Sequence, residues 1–194
     1  MANIFESIRA GDVDAVRSAV RDDPPAAAAR EESGLSAVRA ALYFQKQDVA
    51  DVLLEAKPEL DVFDAAAVGD VDRLTELLDA DGDLIGAFSE DGYTPLHFAA
   101  FFSQGKALRL LLDRGADVGA VARNDMKVQP LHSAVAAQST ECVAALLVAG
   151  ADPNAKQEGG FTPLMGAQQH EEEGDMVRLL IDHGAEESAE APTE

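Results

Sequence analysis

Three stretches of the chain decide how the rest is read: Tyr93-Thr94-Pro95-Leu96-His97, Val128-Gln129-Pro130-Leu131-His132 and Phe161-Thr162-Pro163-Leu164-Met165. Their prolines lie 35 and 33 residues apart. A second landmark follows each of them: LLLDRGAD from Leu110, ALLVAGAD from Ala145 and LLIDHGAE from Leu179, with Gly115, Gly150 and Gly184 spaced by 35 and 34. Two independent landmarks on one period mark an internal repeat, and a period of this length fixes the architecture before any single helix is assigned. Weaker copies extend it towards the N-terminus. Gly11-Asp12-Val13-Asp14 and Gly69-Asp70-Val71-Asp72 are near twins, and Val49 to Leu54 between them has the leucine-rich pattern. The last residues of the leucine-rich stretches are Val20, Leu54, Leu78, Leu112, Leu147 and Ile181, at steps of 34, 24, 34, 35 and 34. Six units result, one of them joined by a connection ten residues short.

Each unit reads as two short helices. In the fourth, Pro95 sits where a first helical turn tolerates a missing N–H, with Thr94 before it as a cap. Leu96, Ala99 and Ala100 supply close-packing positions, and a second helix is expected from Lys106 to about Arg114, with Leu108, Leu111 and Leu112 on one face. Gly115 then provides the left-handed terminus such helices favour. A unit of roughly 33 residues cannot bury its own apolar face, so stacked neighbours must supply the core.

These residues resemble the ankyrin repeats, whose pattern is approximately D-x-x-G-x-T-P-L-H-x-A-A followed by a turn, a leucine-rich helix and L-L-x-x-G-A-D-V-N-A. Asp91 to Ala100 with Leu111 to Val118, Gln129 to Ala155, and Gly160 to Ala185 carry the match; residues 1–87 follow by register alone. The resemblance implies an all-α fold, an α-solenoid of about six ankyrin-like helix-turn-helix repeats with short β-hairpin fingers. It places one domain over residues 1–185, with repeats at 1–30, 31–58, 59–87, 88–120, 121–155 and 156–185, in a small protein of bacterial type. Residues 186–194, without apolar periodicity, read as a disordered acidic tail. Glu55 to Asp61 is too short for a finger, and Pro58 is expected to force a tight turn straight into the next helix. The finger from Ala120 to Val128 is instead two residues longer than the one from Ala87 to Tyr93, and holds the basic cluster Arg123-Asn124-Asp125-Met126-Lys127.

Composition narrows the class of function. The 194 residues hold 36 Asp and Glu against 15 Lys and Arg, a formal charge of −21, with 47% hydrophobic residues. That apolar content excludes disorder throughout. No apolar run approaches the roughly 18–20 residues of a membrane span, so no membrane partner is expected. Strong negative charge repels phosphate backbones, so nucleic acid is not expected either. Many acids fall at turns and outer helix positions, such as Asp12, Asp14, Asp70 and Asp72, where they act as solubilising charge. The N-terminus shows no secretory pattern, and the single Cys142 cannot form an internal disulfide. A cytoplasmic monomer is the expectation.

The chemistry-bearing residues are few. His97 and His132 share one slot of the repeat; the resemblance implies that they hydrogen-bond backbone between neighbouring loops, and Met165 in the same slot argues against stacked metal ligands. His170-Glu171-Glu172-Glu173 is the best metal-like cluster, but consecutive charges in a turn diverge instead of converging on an ion. Cys142 is expected to be buried as a small apolar residue. Neither a nucleophile elbow, a phosphate loop nor a His-Glu-x-x-His stretch occurs. No enzyme, no cofactor and no metal are expected.

What exceeds a plain scaffold is aromatic. The resemblance turns the pair after the two alanines of the first helix towards a concave groove, where polar residues are usual. Here that pair is Phe101-Phe102, and in the second repeat Tyr43-Phe44, which can also fill space beside the missing finger. Exposed rings of this kind anchor protein partners. The expected partner-binding set is therefore Phe88, Glu90, Asp91 and Tyr93 from one finger, Phe101 and Phe102 from its helix, Arg123, Asn124, Met126 and Lys127 from the next finger, and Gln157, Glu158 and Phe161 from the last. The expected function is non-catalytic binding of a protein partner, whose identity the sequence does not give, with a basic surface favoured by the charge. Two alternatives stand beside it: a regulatory or inhibitory accessory protein of a partner enzyme, and metal or small-ligand binding near His170.

Overall fold

Capping chemistry sets the helix starts. In the computed structural model, which describes residues 3–169 and 174–187, side-chain oxygens of Asn3, Asp12, Ser36, Asp70, Thr94 and Thr162 each accept a backbone N–H two or three residues on. The described residues form twelve α-helices in six consecutive pairs, the helix-turn-helix count read from the repeat. The fold is an all-α repeat fold of the solenoid class. The chain falls into two compact units, Met1–Asp64 and Ala65–Glu194. Their boundary lies just beyond the short connection of residues 56–61, which forms no finger; Lys57 turns the chain there with φ of 52° immediately before Pro58.

The first unit holds α1 (Ile4–Ala10), α2 (Val13–Asp22), α3 (Ala37–Tyr43) and α4 (Gln47–Glu55), and the start of α5 (Val62–Val68). Helix α1 packs on α3 and α2 on α4, around Phe5, Ile8, Val16, Val38, Val49 and Leu53. A charged group lies inside it. Arg39 and Asp64, 3% and 2% exposed, meet through Arg39 Nε and Asp64 Oδ1 at 2.8 Å. The Ser36 hydroxyl donates to the same oxygen at 2.6 Å, Arg30 donates to Asp64 Oδ2 at 2.8 Å, and Arg39 donates to the Gly34 carbonyl at 3.0 Å. Arg30 also reaches Asp61 at 2.9 Å. The Asp61 carboxyl is pushed up by burial and by the neighbouring Asp64 charge, against the pull of Arg30 and Arg39.

The second unit holds α6 (Val71–Ala80), α7 (Pro95–Phe101), α8 (Gly105–Asp113), α9 (Pro130–Ala136), α10 (Thr140–Val148), α11 (Pro163–Gln168) and α12 (Asp175–Asp182). First helices stack in one layer, α7 on α9 on α11, and second helices in another, α6 on α8 on α10 on α12. Leu96, Phe98, Leu108, Leu111, Leu131, Leu146, Leu164 and Leu180 are buried between the layers. Each contributes about 1.5–3 kcal/mol against exposure, which is why units too small to fold singly hold together when stacked.

The fingers differ from the expected β-hairpins. One backbone bond spans each, Ser89 N–H to Tyr93 O (2.9 Å), Ala122 N–H to Val128 O (2.8 Å) and Gln157 N–H to Phe161 O (3.0 Å), and a turn bond lies inside it, Gly92 N–H to Ser89 O (2.9 Å), Lys127 N–H to Asn124 O (3.3 Å) and Gly160 N–H to Gln157 O (3.0 Å). No strand ladder forms among the described residues; the sole bridge is Arg30 with Ser36.

Candidate functional site

Three neighbouring fingers are tied to each other through backbone and side chains. Arg123 N–H donates to the Gly92 carbonyl at 2.8 Å, and the Asn124 side-chain amide donates to the Asp91 carbonyl at 2.9 Å. The Arg123 guanidinium lies over the Phe88 ring, 3.7 Å from its centre, a cation–π stack. One finger further on, Glu158 N–H donates to the Met126 carbonyl at 3.0 Å, and the Lys127 ammonium meets the Glu158 carboxylate at 2.6 Å. That partner pushes the Lys127 pKa up, although both side chains stand in water. The basic cluster is therefore internally matched: Arg123 is committed to an aromatic face and Lys127 to a carboxylate. Glu90 and Asp91 are exposed, as is Met126 at 54%, while Phe88, Asn124, Gln157 and Phe161 are half-buried.

Phe101 and Phe102 form a second cluster, apart from the fingers. They end α7, whose first residue Pro95 adjoins the finger, so the helix separates the two groups by roughly 9 Å along its axis. The rings meet edge to face with centroids 5.1 Å apart. Phe101 is 41% exposed and Phe102 half-buried. Tyr93 instead turns inward, edge-on to Phe98 at 5.9 Å and tilted against His97 at 5.7 Å, so it serves the core more than a surface. In the first unit Phe44 is also exposed, and the Arg9 guanidinium lies 5.8 Å from its ring centre.

Likeness to known proteins agrees with this geometry. A model of three tandem ankyrin repeats matches residues 119–191, and a single ankyrin repeat matches residues 91–123. The two together run from 91 to 191, more than half of the chain. It belongs to the ankyrin-repeat family. Relatives include a rice (Oryza sativa subsp. japonica) protein named probable E3 ubiquitin-protein ligase XBOS31, 42% identical over 95 residues, which are 48% of this chain and 21% of the relative. The ankyrin repeat, SAM and basic leucine zipper domain-containing protein 1 of Pongo abelii is 38% identical over 108 residues (53% and 22%), and that of Dasypus novemcinctus 35% over 129 residues (63% and 26%). The chain thus spans about a quarter or less of the length of these curated relatives. They come from a plant and from mammals, and lend no support to a bacterial type.

The ankyrin histidines act as expected, within the scaffold. His97 accepts from Thr94 N–H at Nδ1, 3.3 Å away, and its Nε2 donates to the Val128 carbonyl of the next finger at 3.1 Å. His132 repeats the arrangement, with Nε2 3.1 Å from the Ala155 carbonyl and Nδ1 3.2 Å from Gln129 N. Burial lowers the His97 pKa to about 4, against the Val128 bond that raises it, and His132 is lowered for the same reason. The unfolded chain therefore takes up this proton first. The contribution of neutral His97 is whole above pH 6.5 and is lost as pH falls from 6.5 towards 4. By pH 5 the His97 share amounts to about 2 kcal/mol. Urea titrations at pH 7.5 and 5 should show that loss, and His97→Asn should reduce the difference between the two pH values, leaving the part that His132 carries. An unchanged pH slope in the variant would show that His97 is not the group responsible.

Other candidates fall outside an ankyrin binding surface. Cys142 is buried in α10, and burial pushes its thiol up, away from the reactive thiolate. His170, Glu171, Glu172 and Glu173 lie outside the described residues, as do residues 188–194 of the expected tail; Glu186, at its start, donates its N–H to Asn154 Oδ1 at 2.8 Å. Among the described residues no group of three or more potential ligands stands ready for a metal, and no helix is long and apolar enough to cross a membrane. Sequence reasoning missed Arg39 and Asp64. The signal was available: each occupies in its own repeat the position that His97 and His132 hold in theirs. It also missed a cleft between α9 and α11, lined in part by Gly166.

Proposed function

We propose that this chain is a non-catalytic protein-binding module whose contact surface runs along the fingers and first helices of residues 88–169. The observation that carries this reading is Phe101, a large ring left 41% exposed at the end of a seven-residue helix and held edge-on by Phe102. Two rings already fixed against each other lose little conformational freedom on binding, which is the property of an interface anchor. The cross-tied fingers support it, because a surface ordered in advance spends less of its binding energy on ordering. The charge of −21 favours a partner with a basic surface through long-range attraction, and that attraction sets encounter rate more than final affinity. Within the site itself Arg123 and Lys127 are matched locally, so recognition there falls to Phe101, Phe102, Met126 and the exposed Glu90 and Asp91.

The test is Phe101→Ala with Phe102→Ala, compared with the parent chain as bait in extracts of its native source. A protein identified by mass spectrometry with the parent and lost with the variant is the expected result. The thermal midpoint should fall by less than about 5 °C, since a half-exposed pair contributes little to the core. A larger drop would assign the rings to the core and remove them from the surface. Stoichiometric metal retained through dialysis would favour the ligand-binding alternative near His170.

A further inference from the structure

The repeats of the second unit differ at one position in a way that opens a space. Aligned on their Thr-Pro-Leu-like starts, Phe98, Ser133 and Gly166 occupy the same place in successive first helices, and Tyr93, Val128 and Phe161 precede those helices at the same distance. In the first of the three the pair is complete: Tyr93 and Phe98 meet edge to face, and Phe98 is only 2% exposed. In the last, Phe161 remains and its partner ring is gone, because Gly166 has no side chain. A cleft of about 220 Å³ lies there between α9 and α11, lined by Val135, Ala136, Gly166 and Phe161, with Gln157 and Gln169 among its polar lining. A Cβ built on Gly166 would lie 3.2 Å from Val135 Cγ1, so a side chain starting there would press directly on the α9 wall.

We infer that this cleft is a socket for one aromatic side chain, a Phe or Tyr ring carried on an extended segment of the partner protein; the inference rests on the protein-binding reading above. The molecule supplies its own precedent for the occupant, since Phe98 is the ring that covers Tyr93 at the equivalent place. The volume suits a single ring, since pockets for drug-sized molecules begin at roughly 300 Å³. The described lining disfavours charged ones. Among the described residues no Asp, Glu, Lys or Arg lines the cleft, and an ion entering it would lose its water without gaining a counter-charge from them. The two glutamine amides each bring a carbonyl acceptor and an NH₂ donor, the set that matches the backbone on either side of a bound residue and has no use for a bare hydrocarbon.

The probe is N-acetyl-phenylalanine amide, titrated into the full ¹⁵N-labelled chain, with N-acetyl-leucine amide and N-acetyl-lysine amide in parallel. The phenylalanine probe should give saturable shifts at the Gly166 and Phe161 amides and the Gln157 side-chain amide, the leucine probe should bind at least threefold more weakly, and the lysine probe should give none. Gly166→Leu puts a side chain against Val135 Cγ1, 3.2 Å from its Cβ, so its midpoint should fall somewhat while the shifts vanish. Gly166→Ser, which copies Ser133, should fold if the larger side chain does not, and should weaken the probe at least threefold. Absence of saturation at tens of millimolar, equal binding of the lysine probe, or undiminished shifts in a folded Gly166 variant overturns the inference. Phe101→Ala with Phe102→Ala should leave the probe shifts in place. A failed socket beside an intact effect of that double variant removes the cleft alone, whereas a working socket with partner capture indifferent to Phe101 and Phe102 removes the broader reading.

Discussion

Replacing Asp64 by Ala is expected to cost the N-terminal unit about 3–5 kcal/mol, enough to unfold most of it. Asp64 and Arg39 are both nearly inaccessible, and the carboxylate accepts from Arg39, Ser36 and Arg30 together. Removing it takes from the buried Arg39 guanidinium the carboxylate that Nε meets at 2.8 Å, and from Ser36 and Arg30 a shared acceptor. The loss is thus larger than the net worth of the pair when intact. Replacing both partners, Arg39→Leu with Asp64→Leu, should recover most of the stability, because the desolvation cost disappears with the charges. Hydrogen exchange of the full chain, read on peptides from residues 31–64, separates the cases. The single variant should lose protection over that whole span and the double variant should keep it. Protection unchanged in Asp64→Ala would mean that water reaches Arg39 easily and the pair is not dry.

Gly92→Ala is expected to destabilise the second unit by about 3–4 kcal/mol. Two independent penalties add at this position. Its φ of +85° lies where a side chain is strained, and a Cβ would come within 2.7 Å of the backbone C and O of Arg123. Backbone cannot swing aside as a side-chain tip can, so the bond from Arg123 N–H to Gly92 O and the one from Asn124 to Asp91 O should go together. Gly115 supplies the control, with φ of +87° and nothing within 4 Å of a built Cβ. Gly115→Ala should cost only the strain, about 1–2 kcal/mol, and the difference between the two urea midpoints measures the finger-to-finger tie. Equal losses at the two glycines would show that the tie contributes nothing.

The repeat made most of the fold legible. Period, cap residues and leucine faces are local or periodic properties, so twelve helices in six pairs could be read from spacing. The fingers were placed correctly and given too much structure, because the number of ladder bonds depends on how many residues the turn consumes, which spacing does not reveal. The arrangement of the candidate surface was not legible. Arg123 and Lys127 look like a free basic patch in the sequence and are spent on Phe88 and Glu158, residues 35 and 31 positions away. Tyr93 looks like a surface ring and faces Phe98. Arg39 and Asp64 escaped notice because an Arg among alanines reads as surface charge until its partner, 25 residues on, is seen.

One slot of the repeat also writes a grammar for the array. It holds Arg39, Asp64, His97, His132 and Met165 in turn. A histidine there asks only for a backbone carbonyl, which any ordinary neighbour provides, as Val128 does for His97 and Ala155 for His132. An arginine there asks for one particular acid in the unit that follows. At this slot the junction of Arg39 with Asp64 is consequently keyed, one side chain to one side chain, where the histidine junctions ask for no particular residue in the neighbouring finger.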